Sequence, residues 1–183
     1  GVELEIQQMD FDSVLPGVQA GKFTVGVSGI SVTPAREKNT LFTDPYCLAA
    51  QAIVVTSDSA ITCKADLDGK TVSVQTGTTA ESFCLENGYT AKSFAANSDA
   101  QAALTTGKVD AWVVDNLTAL QMVEEGDGLT ILEEKMTEEP YAFAFAFGSE
   151  DLVAEMDKIL TKLIEDGTVK EIFDKYGETY FKP

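Results

Sequence analysis

The sequence predicts an α/β protein with mostly parallel sheets flanked by helices. Three observations carry that expectation. Short β-branched runs alternate with amphipathic stretches along the 183 residues. Small polar residues gather directly after several of those runs, where sheet-borne sites collect. Two polar segments, 57–64 and 133–139, bracket a block rich in strand–helix–strand units. The brackets predict a discontinuous lobe 1 (1–56 and 140–183) with lobe 2 (57–139) inserted in it. Two surface loops in a single domain would give the same pattern.

Taken in order, residues 2–7 alternate apolar and acidic side chains and read as a strand. Phe11, Val14, Leu15 and Val18 have helical spacing, Pro16 falls early enough to be tolerated, and Gly21 marks the stop. A strand over 23–27 leads into a loop from Ser28 to Arg36. Residues 51–56 form a further apolar strand, and Asp68-Gly69 signals a turn. A strand over 71–74 runs through Gly77 into a helix over 80–86. Helices are expected over 98–106, with Ser98 as N-cap, and over 116–125; strands are expected over 109–114 and 129–132. Residues 140–147 have strict period two, aromatic on one face and alanine on the other. Two amphipathic helices, 150–163 and 168–176, end the chain around Gly167.

Composition excludes several functions. Thirty acidic against thirteen basic residues give a formal charge of −17, which repels nucleic acid and anionic membrane surfaces. Histidine is absent, which removes the usual general base near neutral pH and the commonest metal ligand. No Ser-His-Asp or Cys-His pair can form, so no catalytic residue is assigned. Cys47, Cys63 and Cys84 are too widely spaced for a CxxC-type zinc site, and no metal or cofactor is expected. No apolar run is long enough to cross a bilayer, and no leader is recognisable, so the chain is expected to be soluble and to carry no address of its own.

Arginine is nearly absent too. Arg36 is the only one, every other basic residue being lysine. Two-pronged recognition of a carboxylate is what arginine does and lysine does poorly; a surface arginine kept by chance is the plainer reading. Three loops after strands hold the remaining candidates. In the first, Gly29 lets a ligand approach the backbone and Ser28, Ser31 and Thr33 offer hydroxyls beside Arg36. The second, Gly77-Thr78-Thr79, turns into a helix whose free N–H groups favour an anion, although Thr78 alone reads as an N-cap. The third is Asp115, able to neutralise an ammonium or to cap the next helix. Together they describe a receptor for a zwitterion, with Arg36 and the Thr78 helix end facing a carboxylate and Asp115 an amine. Each ligand charge needs a fixed partner once water leaves.

Five blocks in order carry a resemblance: S-G-I-S-V-T-P-A-R-E-K from Ser28, L-F-T-D-P-Y from Leu41, V-S-V-Q-T-G-T-T-A-E from Val72, G-K-V-D-A-W-V-V-D from Gly107 and E-P-Y-A-F-A-F from Glu139. They resemble the amino-acid-binding proteins of ABC importers, extracytoplasmic solute-binding proteins with a two-lobe, type II periplasmic-binding-protein-like fold. The resemblance implies that Phe11 stacks on the ligand side chain, and that Ser28, Gly29 and Ser31 meet the ligand. It implies that Arg36 clamps its carboxylate, that Gln75, Thr78 and the Thr79 amide form the second wall, and that Asp115 holds its ammonium. The hinge would cross near Thr56 and Pro140, and the partners would be a free amino acid and the membrane subunits of the transporter.

One departure from the family is plain. Its members have a further strand and helix before the strand expected here at 2–7, so lobe 1 reads as truncated at its N-terminus. An exposed apolar groove is expected there, unless a cleaved segment or another chain completes the lobe. A monomer whose first sheet is fully covered would contradict this. Two other functions fit the same fold: a dehydratase of prephenate-like acids, which needs a poised proton donor, and the amino-acid-sensing input domain of a larger receptor.

Overall fold

A computed structural model describes residues 3–124, 126–176 and 180–183. Two sheets organise them, with helices against both. The first is built around β9 (Glu139–Phe145), the period-two strand, with β1 (Gly26–Ser31) along one edge and β2 (Leu41–Phe42) and β3 (Cys47–Ala49) along the other. The second has the order β6-β5-β7-β4-β8, from β4 (Gln51–Thr56), β5 (Thr71–Gln75), β6 (Thr90–Phe94), β7 (Ala111–Asp115) and β8 (Leu129–Ile131).

The expectation of mostly parallel sheets holds only in part. β5 runs parallel to β6 and β7, but β4 is antiparallel to β7 and β8, and every pairing in the first sheet is antiparallel. In the first sheet the cause is β9, a late strand that inserts among earlier ones. Residues 51–56, expected in the first lobe, pair with β7 and β8 in the second sheet. Only Ala50 separates β3 in one sheet from β4 in the other.

Alternation along the second sheet supplies two hydrophobic faces. Ile53, Val55, Val72, Val74 and Val113 pack on one side with Ala80 and Cys84 of α2 (Thr79–Glu86). Val54, Trp112 and Val114 pack on the other with Ala100, Ala103 and Leu104 of α3 (Asn97–Thr105) and Ala119 of α4 (Asn116–Met122). Each fully buried large aliphatic contributes about 1.5–3 kcal/mol, which fixes this sheet as a rigid base for the loops at its edge. α1 (Phe11–Gln19) packs on the first sheet, and α5 (Glu150–Glu165) and α6 (Thr168–Lys175) pack together.

The strand expected over 2–7 does not form among its described residues. Residues 3–10 are irregular, with Leu4 75% and Ile6 81% exposed; a strand without a neighbour to bond has little stability in water. Val27 on β1 is 59% exposed as well. The position of β1 differs from expectation: it covers 26–31, so Ser28, Gly29 and Ser31 lie on a strand and not in the loop after it. Its register with β9 slips between Gly26 and Ile30, and Gly29 has φ +56°, a conformation other residues rarely adopt.

Candidate functional site

A cavity of about 650 Å³ opens between the two sheets, within the range of small-molecule sites. All nine candidate residues line it: Phe11, Ser28, Gly29, Ser31, Arg36, Gln75, Thr78, Thr79 and Asp115.

Arg36 is half-buried and doubly anchored. Its backbone N–H donates to Thr33 Oγ1 (3.2 Å), Nη1 donates to the Ser31 carbonyl (2.8 Å) and Nη2 to the Gly77 carbonyl (3.0 Å). The last bond joins the first-sheet side of the cavity to the second. The guanidinium carbon stands 5.8 Å from the centre of the Phe11 ring, in reach of its π face. Burial lowers the Arg36 pKa, opposed first by the negative charge of Glu139 and then by that of Asp115.

Several candidates on the second wall prove to be occupied by the protein itself. Gln75 donates to the Ala95 carbonyl (2.9 Å) and accepts from Asn97 (3.1 Å). Thr78 is the N-cap of α2, accepting from the Glu81 N–H (3.2 Å) and donating to the Gln75 carbonyl (2.7 Å). Thr79 Oγ1 accepts from Gln51 (3.0 Å). What this wall offers is therefore backbone: the amides of Thr79 and Ala80 begin the helix and have no intrahelical acceptor. Gly77, at φ +76°, packs close against α1, since a Cβ there would stand 2.9 Å from Asp12 Cβ.

Asp115 ends β7 and makes no capping bond to α4. Its two oxygens instead accept from Gln51 Nε2 and from the Tyr141 hydroxyl. Although it opens onto the cavity, the carboxyl is enclosed closely enough that its pKa is raised to about 6. Desolvation is the main cause, Glu139 adds to it, and the Tyr141 and Gln51 hydrogen bonds and the Arg36 charge oppose it. No salt bridge joins Asp115 to Arg36 among the described residues. Two opposite charges thus face one cavity without neutralising each other by contact.

Sequence reasoning missed Gln51, Tyr141 and Glu139. Gln51 opens an apolar run, Tyr141 reads as one of an aromatic row, and Glu139 ends the acidic segment expected to bracket the inserted lobe, yet Gln51 is fully buried and Glu139 nearly so. Gly29 has a task beyond the one expected of it: a Cβ there would stand 3.0 Å from the Tyr141 ring, so its missing side chain also makes room for Tyr141. Asp10, Asn97, Thr118, Gln121 and Met122 also line the cavity. Among the described residues no cluster of potential metal ligands occurs.

Comparison with known proteins gives a consistent result. The family model for bacterial extracellular solute-binding proteins, family 3, matches residues 1–179. The arginine-binding extracellular protein ArtP of Bacillus subtilis (strain 168) is 30% identical over 183 residues, covering 96% of this chain and 71% of the relative. An ancestral arginine-binding protein, solved with arginine bound, superposes with TM-score 0.88 at 38% identity, covering 96% of this chain and 80% of that one. An ancestral amino acid-binding protein described as a precursor of cyclohexadienyl dehydratase gives TM-score 0.88 at 31% identity, covering 100% and 79%.

Proposed function

From the premise that this chain belongs to the family 3 bacterial extracellular solute-binding proteins, we propose that its cleft closes on a free amino acid for delivery to the membrane subunits of an ABC importer. The protein acts outside the cytoplasm, as its family does. One observation carries the choice of ligand class: Arg36, in the turn after β1, and Asp115, at the end of β7, are opposite in charge, not paired by contact, and face the same cavity. The remaining N–H groups of Arg36 and the amides at the start of α2 receive the α-carboxylate. Asp115 receives the α-ammonium. Ser28, Ser31 and Gly29 wall the ligand on the first sheet, Gln75 and Thr78 on the second, and Phe11 covers its side chain.

The two sheets serve as two lobes, and the polypeptide crosses between them near Ala50 and Glu139. The exposure of Leu4, Ile6 and Val27 supports the reading that a further segment, cleaved or from another chain, completes the first lobe. At the side-chain end, Asp10 with Gln121, Asn97 and Thr118 favours an extended cationic or amide group, and the arginine-binding relatives support L-arginine as the first candidate.

A thermal-shift screen of the common L-amino acids tests the proposal. A ligand at a hundredfold excess over its Kd stabilises by about 2.7 kcal/mol, or roughly 5–10 °C for a domain of this size. L-Arginine is expected near that value, and its N-acetyl derivative near zero. No shift with any amino acid would overturn the proposal. Closure itself is tested at Gly77. Alanine there adds backbone strain of roughly 1–2 kcal/mol and sets a methyl against Asp12 of the opposite wall. Affinity is expected to fall about tenfold, and unaltered binding in calorimetry would count against the closed geometry.

A second reading, a dehydratase, has one observation in its favour: an enclosed carboxyl, Asp115, faces the cavity, and desolvation raises its pKa to about 6, toward the range that suits a proton donor. Both its oxygens, however, are held by protein donors. Incubation with a prephenate-like acid and analysis for a dehydrated product separates the readings; turnover would favour the enzyme.

A further inference from the structure

We infer that Gln51 and Tyr141 are positioning residues for amine recognition: together they clamp the two oxygens of Asp115 from the crossing strand and from the opposite sheet, and so fix how firmly the cleft grips a protonated amine. The inference rests on the reading of Asp115 as the ammonium partner.

The geometry is that of a buried relay across the junction of the sheets. Gln51 lies opposite Asp115 in the β4–β7 register, at the first position after the chain crosses over. Its backbone N–H donates to Thr137 Oγ1 (2.9 Å), and that hydroxyl donates to Glu139 Oε1 (2.7 Å) on the returning crossing. Its side-chain Nε2 divides its two hydrogens between Asp115 Oδ1 and Thr79 Oγ1. Its Oε1 is buried without a partner among the described residues. Turning the amide over would set that oxygen against the Asp115 carboxylate, so the unsatisfied acceptor is the cost of keeping a donor on Asp115.

Tyr141 works from the other sheet. The missing Cβ of Gly29 seats its ring, the β3–β9 register pairs it with Cys47, and its hydroxyl donates to Asp115 Oδ2. A carboxylate offers about four lone-pair sites. One donor on each oxygen fixes the rotamer and leaves the other sites for an ammonium in the cavity. The charges around Asp115 are few: Glu139 on β9 disfavours its ionised form, Arg36 favours it, and the phenols of Tyr46 and Tyr141 are both held neutral by burial. The Cys47 thiol beside Tyr46 is likewise kept protonated by burial.

The test follows L-arginine binding by calorimetry from pH 4.5 to 8.5. Binding by the natural protein is expected to weaken through an acid limb centred where Asp115 takes up its proton, near pH 6. Tyr141→Phe and Gln51→Met each remove a donor that favours the carboxylate. They are expected to weaken binding at neutral pH about tenfold or more and to move the limb to higher pH. Glu139→Gln removes a neighbouring negative charge and is expected to move it lower. In the ligand-free protein the same displacements are read from the Asp115 carboxyl resonance. Variants weakened by one factor at every pH, with the limb and the resonance unmoved, would reduce Gln51 and Tyr141 to packing and overturn the inference. If Tyr141→Phe fails to fold, Gln51→Met carries the test. Wild-type affinity in Asp115→Asn would instead overturn the ammonium reading itself.

Discussion

Arg36→Ala is expected to abolish measurable amino-acid binding while leaving the ligand-free fold intact. Among the described residues Arg36 is the sole cationic side chain lining the cavity, and it is the full positive charge a ligand carboxylate meets in the closed cleft. Removing one partner of a desolvated pair costs about 3–5 kcal/mol, because the other charge is left buried alone; that is roughly a hundredfold to several thousandfold in Kd. Arg36→Lys is expected to fail nearly as badly. The guanidinium spends Nη1 on Ser31 and Nη2 on Gly77 and still has N–H groups to offer, whereas an ammonium on a flexible stem has three donors and no planar fork. Calorimetry with L-arginine, with far-UV circular dichroism as the folding control, checks both variants. Affinity within threefold of the natural protein in Arg36→Ala would contradict the carboxylate assignment.

The ease with which Arg36 is found contrasts with the partners of Asp115. A single arginine among lysines is a compositional signal, and a glycine turn before a helix is a local one; both can be read along the chain without a fold. Gln51 and Tyr141 carry no such mark, because their importance lies in bonds to a residue 64 and 26 positions away. Periodicity places Tyr141 on an aromatic face correctly, yet it is silent about which hydroxyl meets a carboxylate. The same limit explains the sheets. Alternating strands and helices predict α/β order well, but whether a late strand returns antiparallel between earlier ones is a matter of topology. β9 does so, and this turns an expected parallel first sheet into an antiparallel one. The strand over 51–56, expected with the first lobe, pairs in the second sheet for a related reason, since an apolar strand looks alike in either sheet.

Asp115→Asn is expected to remove binding and, in the same protein, to raise stability at neutral pH. The folded pKa of Asp115, about 6, lies above its ordinary 3.8. A carboxyl raised in this way favours the folded state while protonated; that contribution is whole below about pH 4 and is lost as pH climbs through 6. At pH 7 the ionised group is therefore a burden of at most about 3 kcal/mol, from about 1.4 kcal/mol per pKa unit, and solvent reaching it through the cleft lowers that to about 1–2 kcal/mol. Asparagine keeps an acceptor for the surrounding donors without the charge, so the ligand-free variant should melt several degrees higher at pH 7. The gain should fade toward pH 4.5, where the natural side chain is itself neutral. Ligand reverses the order: an ammonium beside the carboxylate offsets its desolvation, so only the natural protein gains stability when L-arginine is added. Melting curves of both proteins at pH 4.5 and 7, with and without L-arginine, give all eight values. A variant less stable at pH 7 than the natural protein, or one that still gains from L-arginine, would mean that Asp115 is held in the cleft for its fold and not for its charge.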